Sequence, residues 1–163
     1  MQKEPMTKYG YEKLSNELNH LKLVERPEII REIEVAKEHG DLKENAEYHA
    51  GKEKQRNVDL RLTELAKIIG NAQIIEPETL AHERVSFGST IVLCDMDTDE
   101  EIKYTIVGVA ESSPENGLIS FHSPLSKTLL GKAEGDEVIA RLPGGKKEYE
   151  LLKVCYEEII FAD

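Results

Sequence analysis

Residues 29–72 read IIREIEVAKEHGDLKENAEYHAGKEKQRNVDLRLTELAKIIGNA, and the break at Gly40-Asp41 in their middle decides the fold. After the break, Tyr48, Gly51, Gln55, Val58, Leu62, Leu65, Ile69 and Ala72 recur at alternating intervals of three and four, which is the seam of a heptad helix. The seam is strongly apolar from Val58 onward and weak at Gly51 and Gln55. This predicts tight packing at the base of a hairpin and loose packing toward its tip. Before the break, Ile29, Ile33 and Ala36 form one helical stripe. The same grammar starts further upstream, at a Thr7 N-cap, and runs through Tyr11, Leu14, Leu18 and Leu21. Strict spacing would next place Glu25 and Glu28 on the seam, so the register slips there, and Pro27 at the slip predicts a kink. Two helices of roughly 30 residues, rising about 1.5 Å per residue, make an arm about 45 Å long.

Between residues 71 and 83 the helical pattern stops at a mixed polar run containing Pro77, which marks a linker and divides the chain into residues 1–76 and 77–163. Beyond the linker the grammar is that of strands. Val85–Leu93, Ile102–Val109, Leu118–Phe121, Glu137–Leu142 and Glu148–Tyr156 are β-rich runs separated by DMDTDE, SPENG and PGGK turns. One short helix interrupts them, with Ser123 as N-cap, Pro124 at N1 and Gly131 past its end. The expected fold class is α+β, an N-terminal antiparallel helical hairpin followed by a small, mostly antiparallel sheet.

Composition narrows the function. The 163 residues include no Trp, 6% aromatics and 33% charged residues, which favours extended helical surface over a large core. A net charge of -11 excludes binding to nucleic acid through a general basic face, since phosphate neutralisation needs clustered Lys and Arg. Residues 1–80 are nearly balanced, with 16 acidic and 13 basic side chains, whereas residues 81–163 carry 16 and 8. Cys94 and Cys155 belong to no CxxC pair, so neither a zinc ribbon nor a disulfide framework is indicated. The opening MQKEPMTKYG has no apolar run, and no segment reaches membrane-spanning length, which gives the expectation of a soluble cytoplasmic protein.

Two readings compete at the turn. Asp41 and Glu44 have the Asp-x-x-Glu spacing of a capping box, in which both acids merely start the second helix. Alternatively, two carboxylates on an exposed tip can hold a hard divalent cation and orient a water on it. Magnesium suits such a pair because it commonly takes one or two protein carboxylates and leaves its other positions to phosphate and water. An isolated pair binds it weakly, so chemistry requires a partner that supplies the remaining ligands. His39 and His49 flank the turn at a spacing that matches no common zinc pattern. Tyr48 lies on the seam and reads as packing.

GDLKENAEYH between two heptad helices resembles the tip signature of the Gre transcript-cleavage factors, the GreA type in particular. The likeness extends over RPEIIREIEVAKEHGDLKENAEYHAGKEKQ, NAQIIEP, VSFGSTIVL, YTIVGVAE, LISFHSPLSKTLLGKAEGDEV and LPGGKKEYEL, nearly the whole chain. It implies an antiparallel coiled-coil arm followed by an FKBP-like domain, bound at the secondary channel of bacterial RNA polymerase. It also implies that Asp41 and Glu44 stabilise a magnesium ion of the polymerase active site and position water, so that the polymerase cleaves the extruded 3' end of its own nascent RNA. On this reading no cofactor is tightly bound, the free protein is a monomer without membrane contact, and it is an accessory factor rather than an enzyme.

Lys37, Lys43, Lys52, Lys54 and Arg56 surround the tip, and Lys52 with Arg56, one helical turn apart, are the candidate RNA-phosphate contacts. The alternative is a solvated face of i,i+4 pairs. In the second unit, Ser123, Pro124, Leu130 and Gly131 resemble the family's polymerase-docking segment. Three rival functions compete with this reading. A channel-binding inhibitor of the same fold should carry more aspartates at its tip than DLKEN. A prolyl isomerase needs an aromatic-lined pocket that residues 81–163 supply poorly. A plain coiled-coil adaptor would use the tip acids only as caps.

Overall fold

A computed structural model describes residues 3–162 and divides them into two compact units, residues 12–71 and residues 3–11 with 72–162. In the helical unit, α1 (Lys8–His20) continues through a π turn (Leu21–Glu25) into α2 (Arg26–Lys37), and α3 (Ala46–Gly70) returns antiparallel to them. The π turn is the physical form of the expected register slip. Pro27 has no N–H to close an α-helical bond, and the backbone N–H of Arg26 reaches Leu21 O, five residues back. One wide turn therefore moves the apolar stripe from Leu14 and Leu18 to Ile29, Ile33 and Ala36 without breaking the helix.

The buried seam consists of Leu14, Ile29, Ile33, Ala36 and Leu65, with Leu65 fully inaccessible. Packing toward the tip is closer than the weak seam at Gly51 predicts. Gly51 is buried, and a Cβ there would stand 2.7 Å from Ile33 Cγ1, so the missing side chain lets the helices approach at this point. Ion pairs flank the seam. Arg26 Nε meets Asp59 Oδ1 at 2.8 Å, and Arg61 grips Glu17 through Nε and Nη2 at 2.7 and 2.8 Å.

The Arg61 hydrogen bonds hold the Glu17 carboxyl below its usual range against the opposing effect of burial. A carboxylate with a depressed folded-state pKa stabilises above its unfolded pKa and loses that contribution as pH falls through the folded one. Arg61→Met is therefore expected to lower the melting temperature at about pH 7, with the deficit closing toward about pH 3. A deficit independent of pH in thermal melts would assign the loss to the arginine's packing alone.

The other unit opens with β1 (Glu4–Met6), which pairs in parallel with β2 (Ala72–Ile74). Its main sheet contains β3 (Thr90–Asp95), β4 (Glu101–Val107), β5 (Leu118–Ser120), β6 (Glu137–Leu142) and β7 (Gly145–Cys155) in the order β5-β4-β3-β7-β6. Pairing is antiparallel except between β4 and β5. A bulge at Leu152 of β7, opposite Val92 and Leu93, shifts the register of its pairing with β3. The first β-rich run starts later than its composition predicts. Residues 85–89 form a turn at Gly88, where φ is +82° and a Cβ would stand 2.3 Å from Pro77 Cβ. The short helix α4 (Pro124–Leu129) packs on β6, and its Leu125 and Leu129 join Ile91, Leu93, Ile106 and Leu151 in the core. Hairpin arm, small sheet and short α-helix together are the α+β architecture expected from the sequence.

Candidate functional site

The tip is the connection between α2 and α3, and its backbone is fixed by a few side chains. Gly40 takes φ +121° with no atom of the described residues within 4 Å of its Cβ position, so backbone conformation rather than space selects glycine there. Asp41 Oδ1 accepts the Lys43 backbone N–H at 2.9 Å, an Asx turn. His49 Nε2 donates to Lys43 O at 3.0 Å from the first turn of α3, which fixes the tautomer.

The capping-box reading of Asp41 and Glu44 is not what the chain adopts. The N-cap of α3 is Asn45, with extended backbone and a side-chain Oδ1 that accepts the Tyr48 N–H at 3.0 Å. Asn45 Nδ2 also donates to Ala36 O at 2.6 Å, a carbonyl that the His39 N–H shares at 3.1 Å, so one amide caps α3 and ties it to the end of α2. Asp41 and Glu44 therefore lie in the loop ahead of the helix, and both are exposed. Glu44 has no hydrogen bond or ion pair among the described residues. Capping therefore does not account for the acidic pair, and the structural role left at the tip is Asp41's Asx turn.

Asn45 was missed in the sequence, although an Asn just ahead of a heptad run is an available cap signal. Asn45→Ala removes both bonds and is expected to cost about 1–2 kcal/mol. Amide hydrogen exchange at Tyr48 and the α2 terminus checks this, and unchanged protection there would assign the tip's order to other contacts.

His39, Asp41, Glu44, Asn45, Ala46 and Glu47 border one recess of about 470 Å³. The two acids thus face a common space with Glu47 on its wall. Yet no three His, Cys, Asp or Glu side chains among the described residues converge to a metal-holding group. Hard carboxylate oxygens open to solvent, short of a full ligand set, fit an oxygen-seeking divalent ion whose remaining ligands come from elsewhere.

The basic residues near the tip do not form one free patch. Arg56 pairs with Glu53, Lys54 reaches Glu32 across the hairpin at 3.4 Å, and Lys37 pairs with Glu34 at 3.2 Å. Lys52 lies over the Tyr48 ring, 5.8 Å from its centroid. Lys43 and Lys52 are without an ion pair among the described residues. In the second unit, Ser123 Oγ accepts the Ser126 N–H at 3.2 Å and caps α4, while Pro124 is exposed at its first position. Leu130 packs partly against the core, and Gly131, with φ +84°, donates its N–H to Val85 O. Segment 123–131 thus combines an exposed start with a structural end.

Comparison with known proteins places both units. The family described as transcription elongation factor, N-terminal, matches residues 4–74, and that described as transcription elongation factor, GreA/GreB, C-term, matches residues 80–156. The chain is 60% identical over 162 residues to transcription elongation factor GreA of Nautilia profundicola, covering 99% of this chain and 100% of the relative. It is 56% identical over 161 residues to GreA of Wolinella succinogenes, with 99% of each chain covered. Among solved structures, GreA factor homolog 1 of Thermus thermophilus aligns at TM-score 0.44 and 26% identity, covering 94% of this chain and 99% of that one.

Proposed function

The chain belongs to the GreA/GreB family of transcription elongation factors, and from that premise we propose that it enters the secondary channel of bacterial RNA polymerase and stimulates cleavage of backtracked RNA. The observation that carries this reading is the tip. Asp41 and Glu44 are held on an exposed loop whose fold depends on Gly40, Asn45 and His49, and capping gives no reason for two acids there. The arm supplies reach, with α3 alone running 25 residues, about 37 Å.

In this mechanism the chain's residues hold and orient. Asp41, tied through Oδ1 to Lys43, keeps a fixed direction, and Glu44 accepts a hydrogen bond from the water that attacks the RNA phosphodiester. The two carboxylates would help hold a magnesium ion of the polymerase, which supplies Lewis-acid stabilisation of phosphate charge and a water of lowered pKa. Lys43 and Lys52 carry the positive charge that meets RNA phosphates, with Arg56 partly neutralised by Glu53. Segment 123–131 docks on the polymerase through exposed Pro124. The chain acts as a monomeric accessory factor and cuts nothing by itself. No described helix is long and apolar enough to cross a membrane.

The test is a stalled, backtracked elongation complex with radiolabelled RNA, incubated with and without the protein. Faster release of 3' fragments only when polymerase is present supports the proposal. Binding that slows elongation with no cleavage would favour the channel-inhibitor reading instead.

A further inference from the structure

In the unit that carries the sheet, residues after β7 meet the residues that begin α1, and Tyr9 and Phe161 stack there with centroids 4.3 Å apart and planes 9° from parallel. Beside this pair lies a recess of about 360 Å³, walled by Tyr9, Tyr156 and Phe161 over buried Pro77. Its size is at the small end of ligand pockets and suits a side chain better than a cofactor. Glu76, Glu78 and Glu158 also line it, against a single lysine, Lys8. The Tyr156 hydroxyl is pushed up in pKa, first by burial and then by the charges of Glu78 and Glu158, in keeping with both carboxylates facing the ring. None of the three glutamates has an ion pair among the described residues.

We propose that this recess is a binding site for an arginine side chain presented by a partner polypeptide. Acids alone would be an ordinary solvated surface; here they rim an aromatic cavity. A ring face attracts a cation, and a flat guanidinium both stacks on the ring and forks to carboxylates, which a compact ammonium cannot do. The rim identifies the source as a polypeptide. Ile160, between the lining residues Ile159 and Phe161, is 85% exposed and offers apolar contact to the chain flanking the arginine. The site is separate from the tip acids and does not depend on their role.

The experiment is aromatic-ring NMR of the full chain titrated with N-acetylarginine N-methylamide, with the citrulline analogue as an uncharged isostere. Saturable shifts of the Tyr9, Tyr156 and Phe161 rings are expected with arginine, and binding of citrulline is expected to be about tenfold weaker. Glu78→Gln with Glu158→Gln, both exposed positions, should weaken arginine binding about fivefold or more. Equal shifts with citrulline, equal shifts with spermidine, or no saturable change at these rings would overturn the proposal.

Discussion

In a backtracked elongation complex, the Asp41→Asn, Glu44→Gln protein is expected to stimulate RNA cleavage at least about a hundredfold less than the parent, the loss of roughly 2.7 kcal/mol of transition-state stabilisation. Its affinity for polymerase should change by less than about twofold, because exposed polar substitutions away from a packed contact are nearly neutral. The substitutions are chosen for what they leave intact. Asn at 41 can still accept the Lys43 N–H in an Asx turn, and Glu44 has no partner to lose among the described residues. The cap on α3 belongs to Asn45, which is untouched. Lost cleavage therefore cannot be assigned to an unravelled tip, as it could if the acids were a capping box. Cleavage surviving the double change would end the catalytic reading even if binding were normal.

This outcome also separates what was legible in the sequence from what was not. Heptad spacing located both arm helices because one-sided burial imposes a period, and Leu14, Ile29, Ile33, Ala36, Gly51 and Leu65 are buried as the seam requires. Ser123, Pro124 and Gly131 marked α4 because caps are local chemistry, and β6 occupies Glu137–Leu142, the β-rich run expected there. The assignment of the α3 cap failed because Asp41 and Asn45 both offer a cap signal, and the choice rests on Asn45's second bond, to Ala36 O. The β1–β2 pairing was illegible for a different reason. Its partners, Glu4–Met6 and Ala72–Ile74, are three-residue strands too short for a period, joined only across the whole arm. The tip acids were visible, but their freedom from capping needed the fold.

Gly108→Ala is expected to destabilise the protein by about 3 kcal/mol, overpacking of a kind a core absorbs poorly. The reason begins with Thr7, whose Oγ1 caps α1 by accepting the Gly10 N–H at 3.1 Å. In a capping box the N3 side chain would return to the cap's own N–H, but N3 here is Gly10. Glu111, 104 residues further along the chain, takes that role: its Oε1 accepts the Thr7 N–H at 2.6 Å and the Thr7 hydroxyl at 2.5 Å. Two glycines make room for the buried carboxylate. A Cβ on Gly10 would stand 2.3 Å from Glu111 Oε1. One on Gly108 would stand 2.5 Å from Pro5 O and 2.6 Å from Glu111 Oε2. Pro5 O is backbone and held in the unit by β1, so it cannot swing aside. Glu111→Ala should cost a similar amount by leaving two buried donors without an acceptor, at about 1–3 kcal/mol each. Glu111→Gln should cost less than about 1.5 kcal/mol, because Oε1 still accepts both bonds and the new amide stands in place of Oε2, which has no partner among the described residues. Urea unfolding of the three variants, with hydrogen exchange at Gly10, reads the order directly. If Glu111→Gln proved as damaging as Glu111→Ala, the carboxylate's charge rather than its acceptor geometry would be what holds the start of α1.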